Sequence, residues 1–270
     1  LAWVPMRGAD EQTALGRLES PHATVARPFA LPQPGREFQF PADHGSHPEF
    51  KIEWWYITGY GLQPKGGLLG FQLTFFRSRV DVTQGMRSRF AARQLIFAHA
   101  AVTDVQGRKL WHDQRIARQG FGLAQASEHD TDVRLDRWSL QRQGPVQTSL
   151  YSASLPAQDL ALELQFRATQ PLLLQGQQGL SRKGPQAAQA SYYYSQPQLA
   201  AQGRIGLKGQ SFEVQGRAWL DHEWSEELLH PQAQGWDWIG MNLDDGSALT
   251  AFVLRRADGS ALWAGGSYRA

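Results

Sequence analysis

The chain has no cysteine among its 270 residues. Disulfides, thiolate metal sites and cysteine nucleophiles are thereby excluded, although the compartment is not decided by that absence. No apolar run approaches the roughly 18 residues that a membrane-spanning helix needs. Basic residues are scattered, the formal net charge is only +2, and no Lys/Arg run is present, which argues against nucleic acid as a partner. Capped helical periodicity is missing. So are a phosphate-binding glycine loop, a nucleophile elbow and a zinc-protease helix, and no cofactor is expected.

What is present is a β pattern. With 41% apolar and 19% charged residues the chain has the composition of a folded domain and not of a disordered one. Residues 1–41 are rich in Pro, Ala and Arg and read as an extended N-terminal arm. From position 50 onward the period is two. "LLGFQLTFFRS" places Leu69, Phe71, Leu73 and Phe75 on one face, and "IFAHAAVTD" places Ile96, Ala98, Ala100 and Val102 on one face. Strands at a spacing of about 8–12 residues predict a sandwich or barrel, and the Asp-Gly pairs in "LDDGSA" and "RADGSA" mark hairpins. Short helical turns are expected near "SRFAARQ" and "WSEELLHPQA".

"EWWYITGYGLQPKGGLLGFQLTFFR" is echoed by "WDWIGMNLDDGSALTAFVLRR". Two related β units follow from this, joined near the Gln/Gly/Ser-rich segment 174–191. The tyrosines of "SYYYSQP" lie at that joint, as an aromatic lip for a ligand or as a packing strand.

Three places combine acids with aromatic residues. In "IEWWYIT", Glu53, Trp55 and Ile57 share one face while Trp54, Tyr56 and Thr58 share the other. In "WLDHEW", Leu220, His222 and Trp224 alternate with Trp219, Asp221 and Glu223. "GWDWIG" adds Trp236, Asp237 and Trp238. Such tryptophans fill a core or line an apolar cavity. Trp54, Trp55, Trp224, Trp236 and Trp238 are expected to be buried. An imidazole on an inward face can move a proton in a dry pocket. Glu53 and the "DHE" group are expected to be hydrogen-bonded. "DHGSHPE" offers Asp43, His44, His47 and Glu49, but on a Gly/Pro loop; its histidines are expected to bond turn carbonyls, with no metal site.

The stretches "FPADHGSHPEFKIEWWYITG", "GFQLTFFRSR", "FAHAAVTD", "AWLDHEWSEE" and "GWDWIGMNLDDGSALTAFVLR" resemble the lipocalin-like family of AttH-type proteins and carotenoid 1,2-hydratases (hydroxyneurosporene synthases). The resemblance implies an all-β chain of two lipocalin-like antiparallel barrels in tandem. The first would span 42–190, and 191–270 would begin a second, incomplete one, with sequence missing at both ends. It further implies a hydrophobic small-molecule ligand (a lipid or a carotenoid-like isoprenoid) and a periplasmic or membrane-associated place in the cell envelope, beside an ABC transporter permease. Glu53, Trp54, Trp55, Tyr56, Trp236 and Trp238 would contact the ligand. The rival reading is a hydro-lyase that adds water to a terminal isoprenoid double bond. His222 and Trp224 match a His-x-Trp motif of that branch. Its later Tyr-x-Asp has no match in "LTAFVLRR", so that Asp221, Glu223 or Asp237 would have to serve as the acid.

Overall fold

A computed structural model describes residues 30–227 and 230–270. Most of the predicted arm, residues 1–29, lies outside them. β1 (Ile52–Leu62), β2 (Leu68–Arg79), β3 (Gln94–Asp104) and β4 (Lys109–Arg118) form a meander. β5 (Ala124–Ala126), β6 (Asp132–Leu135), β7 (Trp138–Gln143), β8 (Leu150–Pro156) and β9 (Leu160–Arg167) form another. Two short strands, β10 (Leu173–Leu174) and β11 (Leu180–Arg182), precede the long hairpin of β12 (Ala190–Leu207) and β13 (Gln210–Ser225). β14 (Gly235–Asn242), β15 (Ala248–Arg255) and β16 (Ala261–Arg269) end the chain. Among the described residues the only helical pieces are three-residue 3-10 turns; one is at Asp81–Thr83, ahead of the expected turn at "SRFAARQ".

The long hairpin decides the topology. Strand order is β4-β3-β2-β1-β13-β12-β9-β8-β7-β6-β5 in a 13-stranded antiparallel sheet, with β10 and β11 paired to β12. The sheet curls into a nearly closed barrel. Its free edges approach where Gly120 bridges Ala124 and Arg115 pairs with Asp136 at 2.9 Å. The expected break at 190/191 falls at the first residues of β12, whose pairing carries the barrel sheet on to Ser225. A bulge between Gln196 and Leu199 bends β12, and Gly203, at φ +139°, lets it cross β9 closely: a Cβ there would sit 2.2 Å from the Glu163 carbonyl. β14–β16 form a separate three-stranded sheet.

The alternation predicted for β2 and β3 holds, with both named sets pointing inward and buried. The interior differs from expectation. Trp55, Ile57, Leu73, Phe75, Trp138 and Phe166 have no exposed surface, so no water-sized hollow touches them and the barrel is packed with side chains. Small barrels are filled by their own inward side chains, and the ones here are large. Trp55→Ala is expected to cost about 3–5 kcal/mol in urea unfolding; a loss below 1 kcal/mol would place the indole outside the packed core.

Candidate functional site

β12 and β13 are buried on both faces along Tyr192–Gln196 and Ala218–Trp224, because the barrel core lies on one side and the second sheet on the other. The pleat therefore divides "WLDHEW" between two polar clusters.

The inner cluster closes one end of the barrel. Glu53 is its hub. Its Oε1 accepts from His47 Nδ1 at 2.7 Å and His222 Nε2 at 2.9 Å; its Oε2 accepts from Arg77 Nε at 2.9 Å and from the His47 backbone amide. Burial works to raise the Glu53 pKa, but the His47 and Arg77 charges and the histidine hydrogen bonds overcome it and hold the carboxyl well below its usual range. Burial likewise opposes charge on His47, yet Glu53 and Asp43 raise it to about 9, so it is an imidazolium donating to both acids. Its ring stacks on Trp224 at 3.8 Å. Burial keeps His222 neutral despite Glu53.

These states fix the remaining hydrogens. His222 donates from Nε2, so its Nδ1 accepts from the Tyr194 hydroxyl at 3.1 Å, and that oxygen accepts from His44 Nδ1 at 2.7 Å. His44, lowered to about 2 by burial and by the nearby Arg142 charge, presents a bare Nε2 with no partner among the described residues. A continuous relay thus runs from His44 through Tyr194, His222, Glu53 and His47 to Asp43 and Arg36. The loop histidines bond side chains, not turn carbonyls, because the loop folds under the barrel end and takes Trp55 Nε1 on its own His44 carbonyl. One nitrogen each of His47 and His222 and one Glu53 carboxylate oxygen lie within 4.8 Å of one another and could share a metal ion, which would have to displace these bonds.

The outer cluster lies between the two sheets. Asp221 Oδ1 accepts from Ser195 Oγ at 2.5 Å and Trp219 Nε1 at 2.7 Å, with the Tyr193 hydroxyl on the same carboxyl. Gln175 Nε2 joins Ser195 to Thr250 of β15, and Trp238 Nε1 of β14 donates to the Tyr193 hydroxyl. With no cation bonded to it among the described residues, Asp221 is pushed by burial up to about 7, its hydrogen bonds only partly opposing this. Glu223 on the same face takes Ser191 and Lys183.

Of the sequence-predicted residues, Glu53, Trp55, His222 and Trp224 meet in the inner cluster, and Asp221, Glu223, Trp54, Tyr56 and Trp238 lie on the outer face. Asp237 is set apart on the surface of β14, paired with Arg255 at 2.8 Å. Trp236 is not buried but 51% exposed, since β14 lies against β13 only from Trp238 onward. Arg77 was missed, and Tyr194, read only as part of the tyrosine run at the joint, was not expected in this cluster. The arginine carried a signal, since it continues the inward alternation of Phe71, Leu73 and Phe75. Gln175 and Ser195 carried none.

Two further outer-face features bear on ligands. Cross-strand register aligns Ile116, Phe97, Phe76 and Trp54 in one row, with the Phe76 and Phe97 rings stacked at 4.5 Å. Trp54, Tyr56, Phe76, Phe97 and Trp238 are half-buried. Elsewhere on the barrel wall a concavity of about 890 Å³ is lined by polar groups including Gln141, Gln165, Gln202, Glu163 and Glu213.

Comparison with known proteins bears on this fold. The crystal structure of a candidate AttH from Nitrosomonas europaea is 48% identical, with a TM-score of 0.81 over 89% of this chain and 72% of that one. Kievitone hydratase from Nectria haematococca superimposes with a TM-score of 0.65 at 10% identity, over 86% of this chain and 65% of that one, and shares the fold alone. No curated protein matches the chain. Residues 31–270 match the AttH-like family, and the chain belongs to it.

Proposed function

We propose that the chain is a lipocalin-like binder of an apolar ligand, a lipid or isoprenoid, held against the aromatic outer face and not inside the barrel. The observation that carries this is the half-buried row Trp54, Phe76 and Phe97, continued by Tyr56 and Trp238, which meet edge-to-face at 5.8 Å. Large half-covered aromatic surfaces of this kind mark binding grooves. The aliphatic side of β14–β16 turned from the barrel, with Ile239, Met241, Leu249 and Val253, is what one wall of a second barrel would present. Envelope placement beside an ABC transporter permease is part of the proposal and rests on family resemblance alone.

Titration with farnesol is expected to quench tryptophan fluorescence, and Trp54→Ser with Phe97→Ser to weaken the affinity about tenfold or more. Unchanged affinity in that double variant would move the ligand off this face.

One observation favours a hydratase as the second reading. Asp221 is a carboxyl able to hold its proton near neutrality, beside Trp219, Tyr193 and Tyr56. Protonation of a terminal isoprenoid alkene by Asp221 would leave a tertiary cation facing aromatic rings; water would then add and return a proton to the carboxylate. His222 lies on the other face without exposed surface, and Asp221 itself is only 4% exposed, so this reading requires the two sheets to part at Asp221. Incubation with lycopene separates the readings: a hydroxylated product that disappears in Asp221→Asn supports the enzyme, and binding without turnover removes it.

A further inference from the structure

We propose that the loop 80–93, with the turn 119–123 beside it, docks this barrel onto an anionic lipid bilayer. Large apolar side chains rarely stand on loop tips unless something covers them. Here Val82 is 84% exposed, Phe90 70%, Met86 51% and Phe121 51%. The two segments form one tip. The Phe90 and Phe121 rings stack at 5.6 Å with their planes 7° apart, and Arg118 donates to the Phe90 and Ala91 carbonyls at 2.6 and 3.0 Å. The loop is braced from within: the Thr83 hydroxyl bonds the Ala92 carbonyl at 2.7 Å, and Arg93 bonds the Met86 carbonyl at 2.9 Å. The apolar groups are therefore held outward.

Charge selects the occupant. Residues 82–93 and 116–127 contain Arg87, Arg89, Arg93 and Arg118 and no Asp or Glu, in a chain whose net charge is only +2. The neighbouring Asp81 is already engaged by Arg79 at 2.8 Å and Lys51 at 3.6 Å. A second copy seated symmetrically here would set these arginines against their own equivalents. A bilayer with anionic headgroups takes both parts: rings enter the acyl boundary, and guanidinium groups remain among the phosphates.

The tip also lies where such a contact would matter. The loop leaves the barrel at the end closed by the inner cluster, where Gln94 donates to the Pro48 carbonyl and Arg77 to Gln94. Ile116, 66% exposed, starts the aromatic row and stands two residues before Arg118. Docking stands independently of the ligand reading, since it is measured with vesicles alone.

The absence of cysteine allows a clean test. Phe90→Cys carries one environment-sensitive dye, and Leu62→Cys at the opposite end of β1 is the control. With phosphatidylglycerol-containing vesicles at low salt, the dye at position 90 is expected to shift to the blue and the dye at position 62 to stay unchanged. Flotation should fall about tenfold or more in Phe90→Ser/Phe121→Ser. A loss of about tenfold is expected in Arg87→Gln/Arg89→Gln and on raising the salt. Circular dichroism checks that each variant folds. No flotation of the wild type overturns the proposal, as does flotation of both double variants equal to that of the wild type. A blue shift that grows with protein concentration without vesicles also overturns it, because the patch then faces a second copy.

Discussion

Replacing Glu53 by glutamine is expected to destabilise the protein by about 3–5 kcal/mol, the usual cost of breaking a buried ion pair from one side. The change removes the one anion that Arg77 Nε and both His47 Nδ1 and His222 Nε2 share, and leaves the Arg77 side chain, 1% exposed as a residue, without its counter-ion. Shape is retained, so lost packing contributes little. The loss should therefore shrink when Arg77→Met is added, because the stranded guanidinium is then gone too. Urea unfolding of the two single variants and the double one measures this coupling. A Glu53→Gln cost below 1 kcal/mol, or strictly additive variants, would show that the carboxylate is not the hub.

The second large effect concerns Asp221 and pH. Its carboxyl titrates at 3.8 in the unfolded chain and is raised to about 7 in the folded one. Between those values the folded state binds more protons than the unfolded state, so stability falls as pH rises, and the full penalty of roughly 4 kcal/mol is reached above about pH 7. Asp221→Asn keeps an acceptor for Ser195 and Trp219 and offers an N–H where the protonated acid would donate. Relative to this variant, the wild type should lose about 3 kcal/mol between about pH 5 and pH 8. Parallel urea titrations of the two proteins cancel the contribution of other groups. If their difference does not change with pH, Asp221 is ionised throughout and has an unrecognised counter-charge.

The two carboxylates show how far single residues were legible. That Glu53 lies on the face of Trp55, and Asp221 opposite His222, follows from a period of two and needs no coordinates. Which face turns inward, and what waits there, does not follow. Glu53 meets His222 across 169 residues of chain, and the pairing of β1 with β13 that joins them is set by long-range register. The inward run Phe71, Leu73, Phe75, Arg77 did announce a buried cation. The aromatic residues were legible as bulk but not as occupancy: of the tryptophans that suggested a lined hollow, Trp55 and Trp224 are packed on the inner side, whereas Trp54 and Trp238 lie half-buried on the outer face and Trp236 is exposed. Trp236 reads like Trp238 in sequence and differs in burial because only one of them reaches β13.

Alternation, turn residues and the absence of helix signals determined by themselves that this is an all-β chain, and determined the two faces of each strand, because backbone pleating is local. The insertion of β12 and β13 between β1 and β9, the near closure of the barrel, and the opposite charge states of Glu53 and Asp221 were decided only by tertiary structure. A carboxyl group's ionisation depends on the cations and dipoles brought within a few ångströms of it. Glu53 is folded against Arg77 and His47, whereas Asp221 is shut between two sheets with hydroxyls and an indole.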